Sequence, residues 1–154
     1  MCRTGPRVTE MKIRKFQEED LAQAMDIEQV SFTCPWSEQS MKMFLLPQVL
    51  ALTAEDGDGK VAGYGALMIA SDESDLVNLA VRPDARRQGV AKAILSELID
   101  QAKERKVSEI FLEVRRANIP AQSLYQSFGF QTVGEIRDYY EQPREDALLM
   151  KLTL

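Results

Sequence analysis

Apolar and polar residues alternate over Met11-Lys12-Ile13-Arg14-Lys15-Phe16, the two-residue period of a strand with one buried face. The period then lengthens. From Glu18 to Phe32, Leu21, Met25 and Ile27 recur near helical spacing, and Asp20 suits the first turn, where a helix favours negative charge. Pro35 interrupts, Ser37 and Glu38 can cap a second short helix through Phe44-Leu45-Leu46, and Pro47 closes it. Residues 49–54 and 61–70 read as strands of a hairpin, joined by Glu55-Asp56-Gly57-Asp58-Gly59. Residues 75–81 predict a further buried strand.

A long helix is expected over residues 90–106, with Val90, Ile94, Leu98, Ile99 and Ala102 on one face and Lys92, Glu97, Lys103 and Glu104 elsewhere. The next strand, residues 107–114, places Ile110, Leu112 and Val114 on one side and Phe111, Glu113 and Arg115 on the other. Ala121, Leu124, Tyr125 and Phe128 mark a helix over residues 119–128, which Gly129 ends with a left-handed cap. Residues 131–134 start another strand and residues 147–152 form the last. The order β-α-α-β-β-β-α-β-α-β-β predicts an α/β (α+β) domain, a mixed sheet with helices on both faces. It spans residues 11–154, after a loose extension of residues 1–10.

Composition restricts the chemistry. Among 154 residues, 45% are apolar and none is histidine. A chain of this length buries roughly 68–70% of its unfolded surface, enough for one core without disulfides or metal. The missing imidazole excludes Ser-His-Asp and Cys-His hydrolases and His-ligated zinc. Lys and Arg number 19 against 24 Asp and Glu, a net charge of −5 that argues against general binding of nucleic acid. Cys2 and Cys34 form neither a CxxC pair nor a disulfide framework, which favours a reducing compartment. No apolar run approaches the ~18 residues of a membrane helix, and the first residues lack the apolar stretch of a secretory signal. A cytoplasmic protein without metal is expected.

The most informative stretch is Asn78-Leu79-Ala80-Val81-Arg82-Pro83-Asp84-Ala85-Arg86-Arg87-Gln88-Gly89-Val90-Ala91. A strand ends, a turn passes through Pro83-Asp84, and a helix begins near Gly89. Unpaired N–H groups at a helix start hold anions; Gly89 and Ala91 leave the backbone open, and Arg86 and Arg87 add cations. There is no Gly-Lys-Ser/Thr and no GxGxxG, so neither a P-loop nor a dinucleotide fingerprint is present. On spacing alone, a glycine near a helix start and a solvated Arg-Arg loop are the commoner case. Glu113 stands in an otherwise apolar strand, where a carboxylate is either neutralised, by Arg115, Arg116 or Arg137, or works as a base. Tyr125 is either a core aromatic or a phenol able to protonate a departing thiolate.

Arg86-Arg87-Gln88-Gly89-Val90-Ala91, with the strand before it, resembles the [Q/R]-x-x-G-x-[G/A] motif of the GNAT acyltransferases. The resemblance covers about residues 11–152. It extends to the RimI-type ribosomal-protein-alanine N-acetyltransferases through Ile27-Glu28-Gln29, Pro35-Trp36-Ser37-Glu38 and Leu112-Glu113-Val114-Arg115. Asn118, Ser123-Leu124-Tyr125, Gly129-Phe130, Arg137-Asp138-Tyr139-Tyr140 and Glu145-Asp146-Ala147-Leu148 continue it. It implies the GNAT fold, with a mostly antiparallel sheet, and transfer of acetyl from acetyl-CoA to the α-amine of a protein N-terminus. The acceptor it implies is an N-terminal alanine of a small-subunit ribosomal protein.

The resemblance also assigns residues. Arg86, Arg87, Gln88, Gly89, Val90, Ala91 and Lys92 would hold the pyrophosphate, and Leu79, Ala80 and Val81 would align the pantetheine, with the Val81 amide at the thioester oxygen. Asn118 would contact the pantetheine, Glu113 would be general base and Tyr125 general acid. Trp36 and a loop bearing Tyr139 and Tyr140 would border the peptide groove. One departure stands out: Glu141 follows the tandem tyrosines where that family often has proline, and Pro143 comes later. The rival readings are the same fold acting on a small amine, and a non-catalytic acyl-CoA sensor.

Overall fold

Seven strands form a single sheet in the order β1-β2-β3-β4-β5-β7-β6. They are β1 (Lys12–Lys15), β2 (Val49–Glu55), β3 (Val61–Ala70), β4 (Glu73–Val81), β5 (Glu109–Arg115), β6 (Gln131–Glu141) and β7 (Arg144–Thr153). The helices are α1 (Leu21–Ser31), α2 (Glu38–Met41), α3 (Val90–Glu104) and α4 (Ile119–Ser127). This computed structural model describes residues 11–154; the expected extension of residues 1–10, with Cys2, lies outside the described residues. All neighbouring strands run antiparallel except β4 and β5.

The amphipathic patterns account for the layers. Val90, Ile94, Leu95, Leu98, Ile99 and Ala102 of α3 are buried against Leu50, Leu52, Leu67, Ile110, Leu112 and Met150 on one face of the sheet. Each large aliphatic side chain buried in this way stabilises the fold by ~1.5–3 kcal/mol. On the opposite face, Leu21, Ala24 and Ile27 of α1 pack with Met41 and Phe44 over Ala51, Tyr64 and Ala66. Ser37 caps α2 by accepting from the Ser40 N–H at 3.1 Å, and Gly129 follows α4 with φ 101°.

Asp20 takes another role than the expected dipole partner. It is buried and accepts a bidentate pair from Arg14 at 2.8 and 2.9 Å, the Gln17 N–H at 2.9 Å and the Thr53 hydroxyl at 3.0 Å. Burial disfavours its charged form, but these donors outweigh that and hold its pKa below the usual carboxylate value. The result ties β1 and β2 to the start of α1.

Two features of the sheet create the site. First, β4 pairs with β5 only through Glu73, Ser74 and Asp75, opposite Glu109, Ile110 and Phe111. Beyond Asp75 the strands part. A register shift against β3 falls between Ala66, opposite Asn78, and Leu67, opposite Leu76, leaving Val77 as the extra residue of a bulge. Bulges bend a strand and increase its twist, which turns β4 away from β5. Second, β6 starts over residues 131–134 as expected and runs on to Glu141. Tyr139 and Tyr140 therefore belong to a strand rather than to a loop, with irregular register between Ile136 and Tyr140 and Asp138 at φ 50°.

Candidate active site

The fork between β4 and β5 holds a cavity of about 520 Å³. Leu76, Val77, Asn78 and Leu79 line one arm and Leu112, Glu113, Val114 and Arg115 the other. Asn118, Ala121 and Tyr125 close it from α4, and Phe32, Cys34 and Trp36 from the segment after α1. Tyr140 completes the lining from β6; its neighbour Tyr139 stacks edge-on against it at 5.0 Å and is half exposed. Glu113, Tyr125, Asn118, Leu79, Trp36 and Tyr140 are thus brought together around one space.

Glu113 has no ion-pair partner among the described residues. Arg115 pairs with Glu145 at 3.2 Å, and Arg116 pairs with Glu135, so two of the three candidate neutralising arginines are engaged elsewhere. Glu113 is exposed toward the cavity; partial desolvation by the cavity walls, followed by the negative charge of Asp75, raises its pKa above the ordinary carboxylate value, and its own backbone N–H opposes this less strongly. Tyr125 is pushed up to about 12, by burial first and then by Tyr140. Its ring packs on Phe130 at 5.8 Å.

Arg115 organises the rim. Its guanidinium lies 4.2 Å over the Tyr140 ring and donates to the carbonyls of Gln142 at 3.1 Å and Pro143 at 2.9 Å. The Thr33 hydroxyl also donates to the Gln142 carbonyl, at 2.7 Å. The β6–β7 hairpin is thereby bridged to the segment after α1, across the cavity mouth. On sequence evidence Arg115 is only a possible counter-ion; its structural partners are distant in the chain.

Beyond the end of β4 the chain makes one short turn, Pro83–Ala85, and then climbs into α3 through Arg87 at φ 62° and Gly89 at φ 79°. A left-handed conformation costs a non-glycine residue ~1–2 kcal/mol, so Gly89 suits its place and Arg87 is strained. The consequence is a concave run of backbone donors. The N–H groups of Arg87, Gln88, Gly89, Val90, Ala91 and Lys92 donate to no group among the described residues. Such a nest at a helix N-terminus fits a phosphate or pyrophosphate. Arg86 is less free than expected: it donates to the Val81 carbonyl at 3.0 Å and to the Ser31 hydroxyl at 3.1 Å.

The strand edge continues this surface. Arg82 donates its N–H to the Ala62 carbonyl on the β3 side at 2.7 Å. Because successive residues of a strand point their backbone groups to opposite edges, Val81 and Leu79 present theirs to the fork. Leu79 borders the cavity whereas Val81 lies beyond it, toward the α3 start. The Asn118 Oδ1 accepts from the Ala121 N–H at 3.2 Å as the N-cap of α4, which leaves its NH2 as the group open to a ligand.

Three residues of this region carry no assignment from sequence. Asp75 ends the paired part of the fork and raises the pKa of Glu113. Gln122 is buried and donates to the Arg115 and Arg116 carbonyls at 3.1 and 2.8 Å, fixing the end of β5. Glu28 lines the cavity from α1 and is 1% exposed. Its signal was present in the pattern, a carboxylate on the same helical face as Leu21 and Ala24; the other two depend on strand pairing and on the path of β5.

A sheet forked beside a helix start of open amides is the architecture of an acyltransferase. Residues 21–130 match the model of the Acetyltransferase (GNAT) family, and the chain belongs to that family. It is 36% identical over 148 residues to a putative [ribosomal protein bS18]-alanine N-acetyltransferase of Bacillus subtilis, covering 95% of this chain and 97% of the relative. The [ribosomal protein bS18]-alanine N-acetyltransferase of Escherichia coli K12 is 37% identical over 144 residues, covering 92% and 97%. The crystal structure of the ribosomal-protein-S18-alanine N-acetyltransferase from Escherichia coli superposes with a TM-score of 0.87 at 36% identity, over 93% of both chains. The expected fold and family are those found. No helix among the described residues is long and apolar enough to cross a membrane, and no cluster of metal-ligating side chains occurs among them.

Proposed function

We propose that this enzyme transfers acetyl from acetyl-CoA to the α-amine of a protein N-terminus, with the N-terminal alanine of ribosomal protein bS18 as acceptor. The observation that carries the reading is the fork itself. It sets a carboxylate without an ion-pair partner among the described residues, a phenol and the Leu79 strand edge around one cavity, and the run of open N–H groups from Arg87 to Lys92 follows along the chain beyond the end of β4. The names of the two bacterial relatives support the acceptor.

The cradle from Arg87 to Lys92 holds the pyrophosphate, and the free edges of β4 and Asn118 align the pantetheine. An α-amine with a pKa of ~8 is mostly protonated at neutral pH, and Glu113 removes the proton that blocks its lone pair. The freed nitrogen attacks the thioester carbon directly; a C–N bond forms and the C–S bond breaks. The Leu79 N–H, the fork-side amide that borders the cavity, is better placed than that of Val81 to stabilise the oxyanion. Tyr125 gives its proton to the sulfur. Of the two protons the ammonium loses, one goes to Glu113 and the other balances the one Tyr125 supplies. Trp36, Tyr139 and Tyr140 flank the acceptor chain.

Two measurements test this. Purified enzyme and acetyl-CoA are offered to a panel of N-terminal peptides and small amines, with mass-spectrometric readout. Peptides beginning with alanine, that of bS18 foremost, are expected to be acetylated; selective acetylation of a small amine would overturn the acceptor assignment. Tyr125→Phe is expected to slow single-turnover transfer ~10²-fold while acetyl-CoA affinity is kept, and an unchanged rate would remove it as acid.

A further inference from the structure

One buried charge at the cavity is used by no step of this chemistry. No Lys or Arg among the described residues forms an ion pair with Glu28. Its carboxylate is instead satisfied by three hydrogen bonds. Oε1 accepts from the Tyr64 hydroxyl at 2.6 Å and from the Asn78 NH2 at 2.9 Å, and Oε2 accepts from the backbone N–H of Trp36 at 2.9 Å. The donors stand on β3, on β4 within the fork, and on the segment linking α1 to α2.

Packing alone does not call for a carboxylate here. Leu21, Ala24 and Ile27 bury the same helical face, and an apolar side chain at position 28 would avoid the desolvation a charge suffers. What an apolar side chain lacks is an oxygen to accept the Trp36 N–H. The Phe32 N–H closes α1 on the Glu28 carbonyl at 3.2 Å; from Thr33 to Trp36, that of Trp36 is the one backbone N–H with a partner among the described residues. The segment that carries Phe32, Cys34 and Trp36 into the cavity is therefore held to the sheet, on its backbone, by Glu28. The same carboxylate grips Asn78, one residue before Leu79, so the wall and the β4 arm of the fork share an anchor.

We propose that Glu28 is a positioning residue for the acceptor: it sets the distance between the Trp36 wall and β4, and hence how the acceptor terminus sits against the thioester. This rests on the reading of the cavity as an acceptor site. It makes the acceptor side, and not the acetyl-CoA side, sensitive to the length of the side chain at position 28.

Trp36 is the single tryptophan of the chain, so its fluorescence reports on this wall without any substrate. Two variants separate reach from charge. Glu28→Asp keeps the charge but withdraws it by one methylene from Trp36. Glu28→Gln keeps the length; its carbonyl can accept from Trp36, and its NH2 can donate to the Tyr64 oxygen and to Asn78 with that amide flipped. For Glu28→Asp the expected result is red-shifted, more readily quenched Trp36 emission. The KM for the acceptor peptide should rise about tenfold, with the KM for acetyl-CoA within about twofold of the parent. Glu28→Gln should keep parent emission and an acceptor KM within about threefold.

Parent-like emission and acceptor KM in Glu28→Asp would overturn the proposal. So would an equal loss toward both substrates, the mark of a general strut, or a Gln variant as disturbed as the Asp variant. Should the parent enzyme acetylate no peptide, the acceptor reading fails, while the emission of the two variants still decides whether Glu28 holds the wall.

Discussion

Glu113→Gln is expected to lower kcat/KM for an acceptor peptide by ~10²-fold or more at neutral pH, with acetyl-CoA affinity nearly intact. The amide is isosteric, so the cavity keeps its shape, but it cannot take a proton. The pH profile gives the sharper test. Partial desolvation and the charge of Asp75 raise the Glu113 pKa, and the working form is the carboxylate. Activity of the parent must therefore fall as pH drops through the raised pKa of Glu113. In the variant that acidic limb disappears and only the titration of the acceptor amine, near pH ~8, remains. Parent turnover in Glu113→Gln would eliminate the carboxylate as base.

Gly89→Glu is expected to abolish acetyl-CoA binding. Gly89 stands at φ 79° in the middle of the run of open N–H groups before and within the first turn of α3. A glutamate there places a negative charge where the pyrophosphate belongs. At ~4–5 Å and an effective dielectric constant near 20, that repulsion is about 3–4 kcal/mol per charge pair, more than a hundredfold in Kd. Gly89→Ala is the control, because it adds only the left-handed strain of ~1–2 kcal/mol and no charge. Titration calorimetry with acetyl-CoA should show no binding for the glutamate variant and weakened binding for the alanine variant. Retained affinity in Gly89→Glu would refute the cradle.

The elements legible from sequence are those whose side chains alone decide their form. The stripe Val90, Ile94, Leu98, Ile99 and Ala102 predicts α3 because each member is buried on one face. The alternation in β5 separates buried Ile110, Leu112 and Val114 from the Glu113 side for the same reason. The sequence shows where β6 starts but not how far it runs, because register shifts between Thr132 and Gly134, and again between Ile136 and Tyr140, break the two-residue period. An edge strand exposed along most of its length leaves little apolar pattern to read. The site divides similarly. Glu113 and Gly89 are local candidates with a structural alternative beside each, whereas Tyr125 reads as a core aromatic until the family resemblance marks it. Asp75, Arg115 and Gln122 act through partners that only the tertiary arrangement supplies. Arg86 looks like a free cation in the sequence and is tethered in the fold by Val81 and Ser31.

The fork has a consequence for where the sheet can come apart. Strands β1 to β4 pair as successive antiparallel neighbours, apart from the helical excursion between β1 and β2, and β6 and β7 form a hairpin beside β5. The two halves share a ladder of only three residue pairs, Glu73 to Asp75 with Glu109 to Phe111, reached across the whole of α3. Glu73 and Glu109 are no farther apart in the chain than Lys15 and Leu52 across β1–β2 or Glu109 and Thr153 across β5–β7, so the junction is set apart by its shortness and not by its remoteness. The opening proposed for both substrates is thus also the seam where the sheet has the fewest backbone pairs to break, and where local opening costs least.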